Sequence, residues 1–174
     1  PTSRCSSAAS DVYKRQESDV DEGEFAHVRR VACRYPGVTY SRLMPPRFDM
    51  LGIVAQDLAA SLAFYRLIGL EIPDGAEHES HVEVTLPNGL RIAWDPVSTI
   101  TSFDDSWTAP TGSPRMGLAF LCDSPAEVDA VHDRLVAAGH HSHLAPWDAF
   151  WGQRYATVHD PDGNGVDLFA PLDS

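Results

Sequence analysis

The sequence is poor in cysteine, with three in 174 residues, at positions 5, 33 and 122. That spacing makes neither a metal-binding pair nor a disulfide framework, so a reducing, cytoplasmic setting is expected. Long apolar runs are missing too. Runs such as Gly117–Leu121 fall far short of the roughly 20 residues that span a bilayer, so no transmembrane helix and no membrane partner are expected. Residues 44–174 contain no lysine, and six arginines face nineteen Asp and Glu, a net charge of −13. A uniformly acidic chain grips a phosphate backbone poorly, so nucleic acid is not expected as a partner. The sequence has no Gly-Lys-Thr/Ser phosphate loop, Gly-x-Ser-x-Gly elbow, Cys-x-x-Cys pair or His-Glu-x-x-His helix. Nucleophilic catalysis therefore has no visible constellation. The composition that remains, 43% apolar and 22% charged, is that of a folded chain.

The first residues stand apart. Ser6–Gln16 read SSAASDVYKRQ, which matches the conceptual translation of a transposon-based sequencing adapter throughout. Residues 1–16 are expected to be an adapter-like artefact fused to a metagenomic gene. Residues 17–43 mix acidic residues with Arg29, Arg30, Arg34 and Arg42 and show no sustained period. They are expected to be a disordered or non-native extension. No apolar signal-peptide core precedes Met44, the expected native start. Residues 44–174 are long enough for a single domain with a sizeable core.

Within that domain the same order of signals occurs twice. Phe48–Val54 reads as a strand. Asp57 then caps a helix over Leu58–Ile68, whose Leu58, Leu62 and Tyr65 have helical spacing, and Gly69 suits its C-terminal turn. Two strands follow, His81–Leu86 and Leu90–Asp95, joined through Asn88-Gly89. The second unit opens with a strand at Arg115–Cys122. Ser124-Pro125-Ala126-Glu127 is a capping box with proline at the first helical position. Val128, Val131 and Leu135 line one helix face, and Gly139 ends it. Strands follow at Gln153–His159 and Val166–Ala170, joined by the Asp160-Pro-Asp-Gly-Asn turn. With short second strands near Glu71–Pro73 and His141–Leu144, each half reads β-α-β-β-β. The modules are about 48–95 and 115–172. The linker 96–114 carries Phe103 and Trp107, which are expected to pack back over the domain.

Two stretches carry a family resemblance: Val54-Ala-Gln-Asp57-Leu-Ala-Ala-Ser61-Leu-Ala-Phe64-Tyr65-Arg-Leu-Ile-Gly69-Leu70, and Trp151-Gly-Gln-Arg154-Tyr155-Ala-Thr-Val-His-Asp160-Pro-Asp-Gly163-Asn164-Gly-Val-Asp167-Leu-Phe. At this separation, in a duplicated frame, they resemble the vicinal oxygen chelate, or glyoxalase/bleomycin resistance/dioxygenase, superfamily. The resemblance implies an α+β fold, two tandem β-α-β-β-β modules forming a half-open barrel with helices outside. It also implies a ligand site on the concave face and pairing as a homodimer.

Metal-dependent members place ligands on the first and fourth strands of each module. Here the resemblance carries those positions onto Met50, Ala93, Gly117 and Asp167. Only Asp167 binds a hard or borderline metal, and a one-residue slip, to Asp49, Trp94 and Met116, does not restore a set. No metal site and no cofactor are therefore expected. Strand alternation puts Met50, Gly52, Val54, Ala93, Gly117, Ala119, Leu121 and Asp167 on the concave face. These are mostly small and apolar, leaving room for an organic ligand, unless Met50 and Leu121 fill that volume as core.

Pro146–Tyr155 concentrates Trp147, Phe150, Trp151 and Tyr155. Trp151 and Arg154 are expected at the ligand mouth, Arg154 pairing an anionic group, with Trp147 packing the loop. Trp94 and Trp107 are expected to close the other side. His140-His141-Ser142-His143 is expected to be a solvated turn, His159 structural, and Cys122 a helix-facing buried thiol. The function expected from these readings is sequestration of a small organic molecule, with Met50, Trp94, Trp107, Leu121, Trp151, Arg154 and Asp167 as ligand-binding residues. A cationic ligand would gain from the negative field. The alternative is a metal-dependent lyase, isomerase or dioxygenase, with Asp167 as remaining ligand or general base. A third possibility is a scaffold without ligand.

Overall fold

The structure is a computed structural model that describes residues 46–172. The expectations for residues 1–16 and 17–43 lie outside the described residues. The first module contains strand β1 (Met50–Ala55), helix α1 (Leu58–Ile68) and strands β2 (Val82–Thr85) and β3 (Arg91–Pro96). A short helix α2 (Val97–Thr101) leads out of it. The second contains β4 (Gly117–Leu121), α3 (Pro125–Ala137), β5 (Ser142–Ala149), β6 (Gln153–His159) and β7 (Gly165–Pro171). The architecture is α+β and duplicated, with two open sheets. The first has the order β1-β3-β2 and the second β4-β7-β6-β5. In each, the opening strand runs parallel to the last one, and the hairpin partners are antiparallel.

The helix ends follow their capping residues. The Asp57 side chain accepts from the Ala60 amide at 3.0 Å, and Gly69 ends α1 at φ 118°, a left-handed conformation that glycine adopts at little cost. Ser124 accepts from the Glu127 amide at 3.2 Å, while the Glu127 carboxylate reaches back to the Asp123 amide.

One face of each sheet is covered by helix. Ile53, Ile92 and Trp94 point to α1, where Leu62, Phe64 and Tyr65 are fully buried. Ala156, Val158, Val166, Leu168 and Ala170 meet Val128, Val131 and Leu135 of α3. Each fully buried aliphatic side chain in this layer contributes about 1.5–3 kcal/mol. The Asp160–Asn164 turn ties the modules together. Tyr65 Oη donates to Asp160 Oδ2 at 3.0 Å in a buried position, and the Gln56 amide donates to Asp162 Oδ1 at 2.8 Å.

Three local expectations need correction. Glu71–Pro73 is not a strand. The Arg66 guanidinium takes the carbonyls of Ile72 and Pro73, acceptors a ladder would need, and Pro73 has no amide to offer. Conversely, β5 runs on to Ala149 instead of stopping near Leu144. It is an edge strand with register shifts around Leu144, which accommodates Pro146. In the connection between modules, Trp107 is half-buried, but Phe103 is 74% exposed and does not pack back. Its neighbourhood is held by its own turns, Asp104 N–H to Ile100 O and Trp107 N–H to Asp104 O.

Candidate functional site

The strand register decides which side chains share the open, helix-free face of the second sheet. On β4, Ala119 stands opposite Asp167 and Leu121 opposite Phe169. On β6, Thr157 stands opposite Asp167 and Tyr155 opposite Phe169. Asp167 is thus central. Thr157 Oγ1 donates to its Oδ1 at 2.7 Å. The Tyr155 hydroxyl is pushed up to about 12, first by burial and then by the neighbouring Asp167 carboxylate. Gly117 leaves space beside it. A Cβ there would sit 3.5 Å from Asp167 Oδ2.

Aromatics gather at the Tyr155 end. Trp151 meets Tyr155 edge-to-face at 5.5 Å, Trp147 at 5.3 Å and Phe150 at 4.8 Å. Such pairs contribute about 0.5–1.5 kcal/mol each beyond area burial. Trp151 is 47% exposed, and its indole N–H donates to Gln153 Oε1 at 2.9 Å. The Trp147 indole N–H is buried with no acceptor among the described residues, a donor that a polar ligand atom could satisfy.

At the other end a cleft of about 610 Å³ opens between residues 112–117 and the β6–β7 hairpin. Arg115, His143, Thr157 and His159 line it, with Gly163 and Gly165 on the hairpin side. His159 is held below the usual histidine range by burial and by the neighbouring His143 and His141, partly offset by Asp160.

The predicted residues divide accordingly. Leu121, 67% exposed, shares the open face of the second sheet with Asp167, and Trp151 lies at its rim. Met50, 39% exposed, is on the first sheet, in register with Arg91, whose guanidinium is paired with Asp49 and Glu83. Trp94 is not at a ligand mouth. It is fully buried on the helix side, 5.2 Å from the Tyr65 ring. Arg154 also points to the helix side. Its Nε donates to Asp129 Oδ1 of α3 at 2.8 Å and its Nη1 to Asp148 Oδ1 at 3.0 Å, so its cation is already engaged. Trp107, half-buried, has no ring partner among the described residues. Cys122 is a buried free thiol, raised by burial.

Sequence reasoning named Tyr155, His143 and His159 without assigning them to the site, and did not single out Thr157. The signal was available. Period-2 alternation along Gln153–His159 places Tyr155, Thr157 and His159 on one face. His141 and His143 are exposed, as expected, but His143 lies within β5 rather than in a turn, and it lines the cleft with His159.

The family profile described as Glyoxalase/Bleomycin resistance protein/Dioxygenase superfamily matches residues 47–168. The chain belongs to that superfamily. Among solved structures, it is similar to a glyoxalase/bleomycin resistance protein/dioxygenase from Nocardioides. Identity is 27%, with 79% of this chain and 89% of that one covered and a TM-score of 0.56. A glyoxalase/bleomycin resistance protein/dioxygenase family enzyme from Burkholderia phytofirmans PsJN shares the fold at 19% identity. There 73% of this chain and 100% of that one are covered, with a TM-score of 0.63. A glyoxalase-related enzyme from Fulvimarina pelagi does so at 23% identity, with 71% and 87% covered and a TM-score of 0.60. No curated protein matches the chain.

The superfamily's metal does not fit the residues present. Met50 and Ala93 stand on the first sheet, Gly117 and Asp167 on the second. A thioether, a methyl, a hydrogen and one carboxylate do not make a divalent-metal shell, and one oxygen of that carboxylate already accepts from Thr157. Among the described residues, no group of three or more His, Cys, Asp or Glu is placed to hold a metal ion. Nor is any helix among them long and apolar enough to cross a membrane.

Proposed function

We propose that the open face of the second sheet binds a small organic molecule, without the superfamily's metal and without another cofactor. The observation that carries this reading is the arrangement around Asp167. A half-buried carboxylate accepts from Thr157 and lies near Tyr155, beside an aromatic group with one indole N–H unpaired among the described residues. Flat aromatic faces supply contact area, and a few fixed polar groups supply orientation. The side-chain-free Gly117 leaves room beside the Asp167 carboxylate.

The donor set favours this reading over a metal-dependent lyase, isomerase or dioxygenase, because only Asp167 among the inherited positions offers a suitable ligand atom. If the protein is an enzyme, Asp167 is the acid or base of the site, with Tyr155 as its proton partner. A homodimer is part of the proposal. Phe48, Met116 and Leu121, exposed at the outer strands β1 and β4 and just before them, supply an apolar surface for it to cover. The proposed setting is the reducing cytoplasm, in keeping with the free Cys122.

The test is a ligand-library thermal shift on the full chain, repeated with Trp151→Ala and Asp167→Asn. The expected result is at least one organic compound that raises Tm in the parent and loses most of that effect in both variants. A library that never moves Tm, or hits indifferent to both substitutions, would refute it.

A further inference from the structure

The end of the open face away from the aromatics carries a different chemistry. His143 of β5 and His159 of β6 stack with centroids 4.9 Å apart and planes 16° apart. His141 lies 5.1 Å from His159, tilted by 53°. Arg115 lines the same cleft. Arg66, Arg91, Arg134 and Arg154 are each held by carbonyls or carboxylates. Arg115 and the exposed Arg47 make no side-chain hydrogen bond or ion pair among the described residues, and of the two it is Arg115 that lines this cleft. Asp160, which follows His159 in sequence, is engaged elsewhere, since it accepts from Tyr65, Asn164 and the Asp162 amide. In a domain with nineteen acids and six arginines, a free guanidinium and an imidazole stack sharing one cleft is a local reversal of sign. The hairpin wall of that cleft is bare. A Cβ on Gly163 would meet nothing within 4 Å, and one on Gly165 would meet only Pro114 at 4.0 Å.

We infer that this cleft is an oxyanion subsite, in which Arg115, His143 and His159 seat the carboxylate or phosphoryl group of the bound organic molecule. It rests on the reading of the open face given above and names the class of ligand, an organic acid whose body lies over Thr157 toward Tyr155 and Trp151. A guanidinium supplies paired N–H donors matched to an oxyanion, and the imidazoles supply one more donor each. Burial and the neighbouring His143 and His141 oppose charging of His159 while the cleft is empty, and a bound oxyanion offsets that opposition. Binding therefore takes up protons. The groups facing the anion are Arg115 from the segment before β4, His141 and His143 from β5, His159 from β6, Asp160 from the turn and Asp167 from β7. Of these, His159 is the one that burial and the neighbouring imidazoles hold below the usual histidine range, so falling pH favours the cation an anion would meet. The expected ligand is thus an anion at this end, despite the acidic surface that favours cations at long range.

The experiment titrates the full chain with four probes: inorganic phosphate, phenylphosphonate, phenylacetate and benzyl alcohol. It follows the histidine ring signals by NMR and Trp151 by fluorescence. The expected result is saturable movement of the His143 and His159 rings by phosphate and by both aromatic anions. The anions should bind at least tenfold more tightly than benzyl alcohol, and more tightly at pH 6 than at pH 8. Arg115→Gln and His159→Gln should each remove most of that advantage while leaving the benzyl alcohol response unchanged. Phenylphosphonate against phenylacetate tells a phosphoryl from a carboxylate preference. Three results overturn the subsite: no saturable ring shifts with any anion, anion binding unchanged in Arg115→Gln, or the same rings responding to zinc more tightly than to any anion. The two readings fail separately. Benzyl alcohol binding without an anion advantage overturns only the subsite. Arg115-dependent phosphate binding with no aromatic probe perturbing Trp151 supports the subsite and overturns the aromatic half of the site.

Discussion

Removing the Asp160 carboxylate should loosen the whole domain. The group is 4% exposed and accepts from Tyr65 Oη at 3.0 Å, the Asp162 amide at 3.0 Å, the Asn164 amide at 2.8 Å and Asn164 Nδ2 at 2.9 Å. Hydrogen bonds to a charged acceptor contribute about 1.5–3 kcal/mol each, and they do not add fully because the turn donors can find water. The Tyr65 hydroxyl cannot, since its ring is fully buried. Asp160→Ala should therefore cost about 3–5 kcal/mol, a large part of the stability of a single domain. For a domain of this size, that is a fall in Tm of roughly 10–20 °C. Tyr65→Phe removes one donor and leaves Asp160 three others, so it should cost about 1–1.5 kcal/mol. Denaturant titrations with both variants and the double variant decide the matter. An Asp160→Ala cost below about 1 kcal/mol, or a Tyr65→Phe cost exceeding it, refutes the claim that this turn is the buried tie between the modules.

Arg154→Met should cost only about 1 kcal/mol, since its carboxylate partners are partly solvated, and should leave ligand-induced Tm shifts unaltered because the side chain faces α3. Weakened ligand response in that variant would return Arg154 to the site. Tyrosine titration should set the alkaline limit. Both Tyr65 and Tyr155 are raised above their ordinary value near 10, so the unfolded chain releases those protons first, and stability falls as pH rises past about 10 and toward 12. Denaturation at pH 9 and pH 11 should show that loss, reduced in Tyr155→Phe. An identical loss in the variant would place Tyr155 in solvent.

Much of the fold was legible because local and global signals agree. Asp57 and Gly69 bracket α1, Ser124 and Pro125 open α3, and Gln153–His159 alternates in step with its sheet. The failures have physical causes. At Glu71–Pro73 a side chain from α1, Arg66, competes for the carbonyls, which no local pattern announces. At β5 the register shifts hide the strand period and carry Pro146 inside a strand. The site was half legible. Asp167 and Leu121 follow from alternation, but Arg154 reads as a ligand residue until Asp129 and Asp148 are seen to hold it. Trp94 adjoins Ala93 in sequence, and one step along a strand turns it to the core. His143 and His159 meet only across a strand pair, so neither marks the cleft alone.

The most direct test of the central claim, metal-free binding on the face of Asp167 and Trp151, is ligand screening of the chelator-treated full chain with metal content measured in parallel. The account predicts that an organic acid raises Tm in the presence of chelator, that added divalent ions leave the shift unchanged, and that Trp151→Ala abolishes it. A shift that appears only once about one divalent ion per chain is retained would contradict it.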